Sequence, residues 1–357
     1  MTKSVKIIVS VFCIVFLFSS VSVASNYDSF QKYLGKNEVE LTQEIQDFNT
    51  AQLFAEFNKI ASVTNIQSDV SVLIPLMKEL VNRKDEIQNS EIIDFISNKS
   101  NSVVARENMI DFFMIKNTED PAKKNEIKSL LTDDEIETEL KARIVIIVPL
   151  KTEDINLLVD FVEKDAGILA FNSLKRISKI NEKLAYEISS NILSEQDSHS
   201  ELKISAALKA TSKYFKNNVN KSSDTVYSIN EYEFIELNKK IINSNESALL
   251  KDAALFSLSE LGTKESLLEI INNKNIDIEL KAYAIDENAK VLEDILKNSS
   301  DISDIEMVIQ ALEILPVNNL IEDLETATKN INDSELIEKS EKVLKTKSKS
   351  INSTNKY

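Results

Sequence analysis

The sequence predicts an all-helical protein, because residues that form tight turns are scarce and apolar residues recur at helical spacing. Of the 357 residues, only three are glycine and four are proline. Sheets joined by tight turns need many residues with positive or fixed φ, so this scarcity favours helices. Hydrophobic residues make up 43% of the chain, which suffices for a large core and excludes wholesale disorder.

The clearest predicted helix begins near residue 247 and ends at Gly262. Its apolar and small residues recur every three or four positions and share one face: Leu250, Ala253, Ala254, Ser257, Leu258 and Leu261. Gly262 stands where a left-handed residue ends a helix, and Thr263 is placed to cap a second helix. That second helix carries an apolar stripe at Leu267, Ile270 and Ile271. The repeating unit is therefore a pair of amphipathic helices joined by a very short turn.

Similar helix pairs recur along the chain, one of them marked by Ile168, Phe171 and Leu174 and then by Leu184, Ile188 and Ile192. Predicted first helices begin near residues 69, 102, 133, 166, 199, 247, 277, 304 and 333, most of them roughly 27–33 residues apart, a length typical of helix-hairpin repeats. Capping boxes support several starts: Thr132/Glu135, Ser198/Glu201, Ser303/Glu306 and, more loosely, Asn332/Glu335. Pro75 lies in an apolar stripe and indicates a kink or a different helix boundary.

The interval from 199 to 247 is longer than the others and contains a polar break. We therefore expect a helical N-terminal cap at 26–68, a repeat array at 69–339 with an insertion at 216–230, and a basic, disordered tail at 340–357.

One stretch of the repeat array carries a family resemblance. Leu250-Lys251-Asp252-Ala253-Ala254, followed by Leu258, Leu261-Gly262 and Leu267-Leu268, resembles the short HEAT-like repeat also seen in phycobilin-lyase-type proteins. That family typically has Arg where Lys251 stands and Ala where Ser257 stands, and the match is specific over only about 25 residues. The resemblance implies a right-handed α-solenoid of two-helix repeats that scaffolds partners. It carries no catalytic residue over.

The first 25 residues have the pattern of a signal peptide. Lys3 and Lys6 precede an apolar run from residue 7 to residue 18, and Ser22-Val23-Ala24 offers small side chains before a cleavage point after Ala24 or Ser25. The alternative is an uncleaved membrane anchor, although the run is shorter than the roughly 20 residues that span a bilayer. We expect a secreted or cell-surface protein, with no stable membrane span after cleavage.

Several chemistries are excluded by composition. Cys13 lies inside the signal peptide and His199 is the only histidine, which excludes thiolate sites, multi-histidine metal sites and disulfides in the mature chain. The net charge of −16 disfavours nucleic acid as a partner. The densest acidic cluster, at 132–137, is explained as a first turn that offsets the positive end of a helix. We expect no catalytic, cofactor or metal site.

The insertion is the most informative irregularity. Tyr214, Phe215, Tyr227, Tyr232 and Phe234 surround it, and repeat proteins often place binding loops in such insertions. Tyr227 and Tyr232 are our predicted partner-binding residues, because tyrosine is enriched in interfaces. The alternative is a loop without function whose flanking aromatic residues belong to the core.

The pattern as a whole favours a non-catalytic scaffold that binds a protein partner at the cell surface. Two alternatives stay open. One is a carboxylate-dependent enzyme of the helical-toroid type, and the other is a structural component of the cell envelope.

Overall fold

A computed structural model describes Tyr33 and residues 36–63, 70–218, 229–299, 301–328 and 333–354. Within these ranges the secondary structure is α-helix and short 3₁₀ helix, without a strand, which confirms the all-helical class. The predicted signal peptide at 1–25 lies outside the described residues. None of the described helices combines the length and the apolarity that a membrane crossing requires.

The chain divides into two compact units at Leu150–Lys151. The first unit contains α1 (Glu38–Ile45), α2 (Thr50–Val63), α3 (Val70–Asn82), α4 (Asn89–Ser97), α5 (Val103–Lys116), α6 (Pro121–Lys124) and α7 (Thr138–Ile147), with a 3₁₀ helix at Asn125–Leu131. Here α5 is central, since it packs against α2, α3, α4 and α7.

The second unit consists of successive helix pairs. It contains α8 (Ile155–Lys164), α9 (Ile168–Ile180), α10 (Glu182–Ser194), α11 (Glu201–Asn217), α12 (Glu231–Asn243), α13 (Ala248–Leu261), α14 (Lys264–Asn272), α15 (Ile278–Glu287), α16 (Ala289–Asn298), α17 (Ile302–Ile314), α18 (Asn318–Thr328) and α19 (Ser334–Thr354). From α9 onward, the odd-numbered helices are the first helices of the pairs and the even-numbered ones are the second helices. Each first helix packs against the next first helix. Each second helix packs against the first helix that follows it.

The pair α13–α14 matches its prediction closely. All six residues of the α13 stripe are buried, and so are Leu267, Ile270 and Ile271 of α14. Gly262 ends α13 in the left-handed conformation, at φ 62°, and the Thr263 hydroxyl accepts a hydrogen bond from the Ser266 amide to cap α14. Local signals and tertiary packing agree here.

The predicted helix starts are less accurate where several capping residues are adjacent. Ser200 caps α11 and Asp301 caps α17, in place of Ser198 and Ser303. The predicted start near 133 is wrong, because α7 begins at Thr138 and the Thr132 hydroxyl donates to the Ser129 carbonyl instead of capping α7. Neighbouring Ser, Thr and Asp side chains can all cap, so tertiary packing selects among them.

Two predicted helix faces differ from the structure. Ile168 is 40% exposed, and in α10 the buried residues are Ala185, Tyr186, Ser189, Ser190, Ile192 and Leu193, whereas Leu184 and Ile188 are only half-buried. Large apolar side chains define a stripe in the sequence. The closest helix contacts, however, favour small residues, including serine.

Two further segments differ from expectation. Pro75 lies inside α3, with helix on both sides of it. The last helix continues to Thr354, into the stretch for which composition predicts a disordered tail. The Glu341–Lys345 pair, 3.0 Å apart at i,i+4 spacing, favours helix there.

We expect Leu258→Ala to lower the free energy of unfolding by about 2–5 kcal/mol, because Leu258 is fully buried in α13 and its truncation leaves a cavity. The control is Leu249→Ala in the same helix, where the side chain is 47% exposed and the cost should stay within about 0.5 kcal/mol. Urea titration followed by circular dichroism measures both. Equal effects of the two changes would contradict the assigned face.

Gly262→Ala should cost about 1–3 kcal/mol, because alanine is strained at positive φ. A Cβ atom would also lie 2.7 Å from Asn288 Oδ1. The Asn288 amide donates to the Ser259 and Ala284 carbonyls, 3.0 and 2.9 Å away, so it cannot easily retreat. Gly167→Ala is the control. Its Cβ atom would meet only Asp165 Oδ1, at 3.6 Å, so the substitution should lower the free energy of unfolding by less than about 1 kcal/mol. Thermal melts that rank the two variants in the opposite order would contradict this account.

Candidate functional site

Tyr232 lies in the first turn of α12 and projects into solvent. Asn230 caps this helix by a reciprocal capping box with Glu233, so the backbone that carries Tyr232 is fixed. The side chain is 73% exposed, the highest value among the large hydrophobic side chains that the structure describes. Tyr227, the other predicted partner-binding residue, lies outside the described residues.

Tyr232 and Glu236 form a wall shared by two open grooves on the second helices. The α10–α12 groove encloses about 650 Å³ and is lined by Ser190, Leu193, Ser194, Ile229, Glu233, Leu237 and Lys240 in addition to the shared wall. The α12–α14 groove encloses about 620 Å³ and is lined by Glu231, Ile235, Lys239, Glu265, Leu268, Glu269 and Asn272 with the same wall. A partner segment seated in either groove would contact Tyr232.

The α12–α14 groove has a partly neutralised end, where one lysine lies beside two glutamates, and an acidic end. At the first, Lys239 Nζ lies 3.0 Å from a Glu269 carboxylate oxygen and 3.7 Å from one of Glu236. At the other end, Glu231 and Glu265 are close enough to repel. Burial, and then the charge of Glu265, raise the pKa of Glu231 above its usual range, and a hydrogen bond with Thr263 opposes that rise.

An aromatic cluster holds the start of α12 in place. Tyr186 stacks on Tyr214 with ring centroids 4.0 Å apart, and Phe215 bridges from Tyr186 at 5.5 Å to Phe234 at 5.7 Å. The Tyr186 hydroxyl donates to the Ile229 carbonyl at 2.6 Å, just before α12 begins. Three of the aromatic residues around the predicted insertion, Tyr214, Phe215 and Phe234, therefore belong to the packing of the fold, whereas Tyr232 does not.

Sequence reasoning missed Tyr186, which is fully buried. It lies outside the stripe that we predicted for its helix, and its phenol requires an acceptor that only the tertiary structure supplies. A large amphipathic side chain inside a predicted second helix was the available signal.

Two of the four acids in the cluster at 132–137 form ion pairs. Lys99 Nζ lies 2.5 Å from Glu135, and Arg106 Nη1 lies 2.6 Å from Glu137. The hydrogen bond from Arg106 lowers the pKa of Glu137.

His199 is half-buried just before α11, and its backbone amide donates to the Gln196 carbonyl. Across the described ranges, no group of three or more His, Cys, Asp or Glu side chains is arranged to hold a metal ion.

Glu107 in α5 is the carboxyl group best placed for acid–base chemistry by its pKa alone. Burial raises the pKa of Glu107 to about 7, while the positive charge of Arg143 opposes the rise. Arg143 itself is paired with Asp111, with Arg143 Nε 2.9 Å from Asp111 Oδ1. Neither of the two grooves is lined by Glu107. The arrangement is that of a buried ion pair between adjacent helices, with an additional carboxyl group beside it.

A comparison with protein-family models finds none that matches this chain, and a search of curated proteins finds no similar sequence.

Glu107 predicts a pH dependence of stability. Its pKa near 7 in the folded protein exceeds that of an unfolded chain, so folding binds a proton between these two values and stability is lost as pH rises through 7. Glu107→Gln should remove about 1–3 kcal/mol of the stability difference between pH 5 and pH 8. The exposed control Glu119→Gln should leave that difference unchanged. Chemical denaturation at both pH values measures it, and an unchanged difference in Glu107→Gln would contradict the raised pKa.

Proposed function

We propose that this protein is a non-catalytic scaffold that binds a protein partner through the second-helix surface around Tyr232. The observation that carries the proposal is the position of this tyrosine, 73% exposed on a capped helix and shared by two grooves. Tyrosine buries a large area on binding at a small cost in conformational entropy, and it dominates many binding hot spots.

The proposed architecture is a right-handed HEAT-like α-solenoid. Support comes from the order of helix contacts in the second unit, where first helices pack in succession, and from the residues of α13–α14 that resemble the family. Arrays of this kind expose an extended series of second helices that suits partner binding.

The proposed location is the cell surface or the extracellular space. The support is the charge and apolar pattern of residues 1–25, with an uncleaved anchor as the alternative. The ion pairs at 132–137 support a scaffold over a carboxylate-dependent enzyme, because two of the four acids in the densest acidic cluster, Glu135 and Glu137, are paired with Lys99 and Arg106.

Tyr232→Ala should weaken partner binding about tenfold or more, because truncating a central interface tyrosine commonly costs more than 1.4 kcal/mol (about tenfold in Kd). The measurement uses immobilised mature protein to capture proteins from its own cell surface, followed by titration of the captured partner. Tyr283→Ala is the matched control, since Tyr283 is 48% exposed and lines neither groove.

Both variants should keep the helicity and the melting temperature of the parent protein. Undiminished binding by Tyr232→Ala would place the partner surface elsewhere. An early melt of this variant would instead show that the tyrosine is needed by the core.

A further inference from the structure

We infer that the α12–α14 groove takes a partner segment in which a lysine or arginine lies next to an apolar side chain. This inference rests on the proposed function and specifies the chemistry of the partner. It commits to the α12–α14 groove because the α10–α12 groove offers a weaker charge signal, with Lys240 beside its two glutamates.

The lining of the α12–α14 groove carries an excess of negative charge. Four glutamates and one lysine line the groove. Lys239 lies between Glu236 and Glu269 and offsets one of their two charges, so most of the excess negative charge remains at Glu231 and Glu265. Neither of these two carboxylates forms an ion pair within the described part of the chain. A cation placed between them would relieve their repulsion, and an arginine could contact both through its forked guanidinium group.

The groove is also lined by apolar side chains. Tyr232 is 73% and Leu268 39% exposed on facing helices, and Ile235, 8% exposed, lies between the two charged ends. A small cation would leave this apolar surface uncovered, whereas a peptide side chain would cover it. The described residues also offer no arrangement of three acidic, His or Cys ligands for a metal.

First-turn glutamates have an ordinary structural role, and the experiment must separate it from binding. Glu231 and Glu265 each lie in the first turn of a helix, where an acid offsets the positive helix end. Glu279 has the same position in α15 but lines neither groove. A change of the same charge at Glu279 and at the exposed Glu287 of that helix is therefore a matched control.

The experiment titrates the protein into three fluorescein-labelled peptides and follows fluorescence polarisation. The peptides alternate Lys with Leu, Glu with Leu, or Lys with Ser. We expect only the Lys–Leu peptide to bind tightly, since it alone supplies both the charge and the apolar contact. Binding should weaken with added salt.

Variants then locate the binding. The double change Glu231→Gln and Glu265→Gln should weaken Lys–Leu binding about tenfold or more, and so should Tyr232→Ala. The conservative pair Glu231→Asp and Glu265→Asp keeps the charge and should retain most of the binding. Glu279→Gln with Glu287→Gln should leave binding near that of the parent. Circular dichroism confirms that each variant is folded.

Three outcomes overturn the inference. Equal weakening by the groove pair and the control pair would show attraction to the net negative charge alone. If the Lys–Ser peptide bound as tightly as the Lys–Leu peptide, the apolar contact would not contribute to binding. Tight binding of the Glu–Leu peptide, lost in Tyr232→Ala, would leave the proposed scaffold standing with a partner of different charge. Failure of Tyr232-dependent partner capture, by contrast, would overturn the proposed function itself.

Discussion

The close approach of successive first helices is the constraint on which the rest of the second unit depends. α9, α11 and α13 each place a serine in their shared interior, Ser173, Ser205 and Ser257, and all three are almost fully buried. Their hydroxyl groups have no hydrogen-bond partner within the described residues, which is unfavourable for a polar group. A serine is nevertheless small, so the helices can approach closely, and the large apolar residues on either side gain contact area. The cost in hydrogen bonding is offset by packing.

This packing order leaves the second helices with a different environment. Each of them contacts the first helix that follows it. α16 and α18 also pack directly against each other, whereas α12 has few contacts with α14 and has an open groove on either side. The residues that line these grooves include buried ones, such as Leu193 and Ile235, and exposed ones, such as Tyr232, whose identity the packing does not dictate. An exposed tyrosine or an acidic end is consequently more informative there than it would be on the first helices, where packing dictates most positions.

The sequence predicts the helix pairs well and their details unevenly. Stripes, Gly262 and Thr263 place α13–α14 correctly because local and tertiary preferences agree there. Local signals do not place the start of α7, because several acids and threonines could cap this helix and tertiary packing decides among them. The periodic pattern also does not predict the division at Leu150–Lys151, which falls inside the predicted repeat between the starts near 133 and 166. A division of this kind depends on long-range contacts that a periodic pattern does not encode. For the candidate site, the pattern pointed to Tyr227 and Tyr232, of which only Tyr232 lies in the described residues, and it could not tell Tyr232 from the packed Tyr214, Phe215 and Phe234.

The buried aromatic residues anchor α12, whereas Tyr232 is exposed on it. The Tyr186 hydroxyl donates to the Ile229 carbonyl, and Phe234 packs against Phe215, so the chain is held three residues before and two residues after Tyr232. The Asn230–Glu233 capping box fixes the intervening backbone. An exposed aromatic side chain on so constrained a turn loses little backbone entropy when a partner covers it, because that entropy was already lost on folding. The buried aromatic residues therefore contribute indirectly to the exposed one. They hold Tyr232 in a fixed position, so that it would be a preorganised contact for the proposed partner.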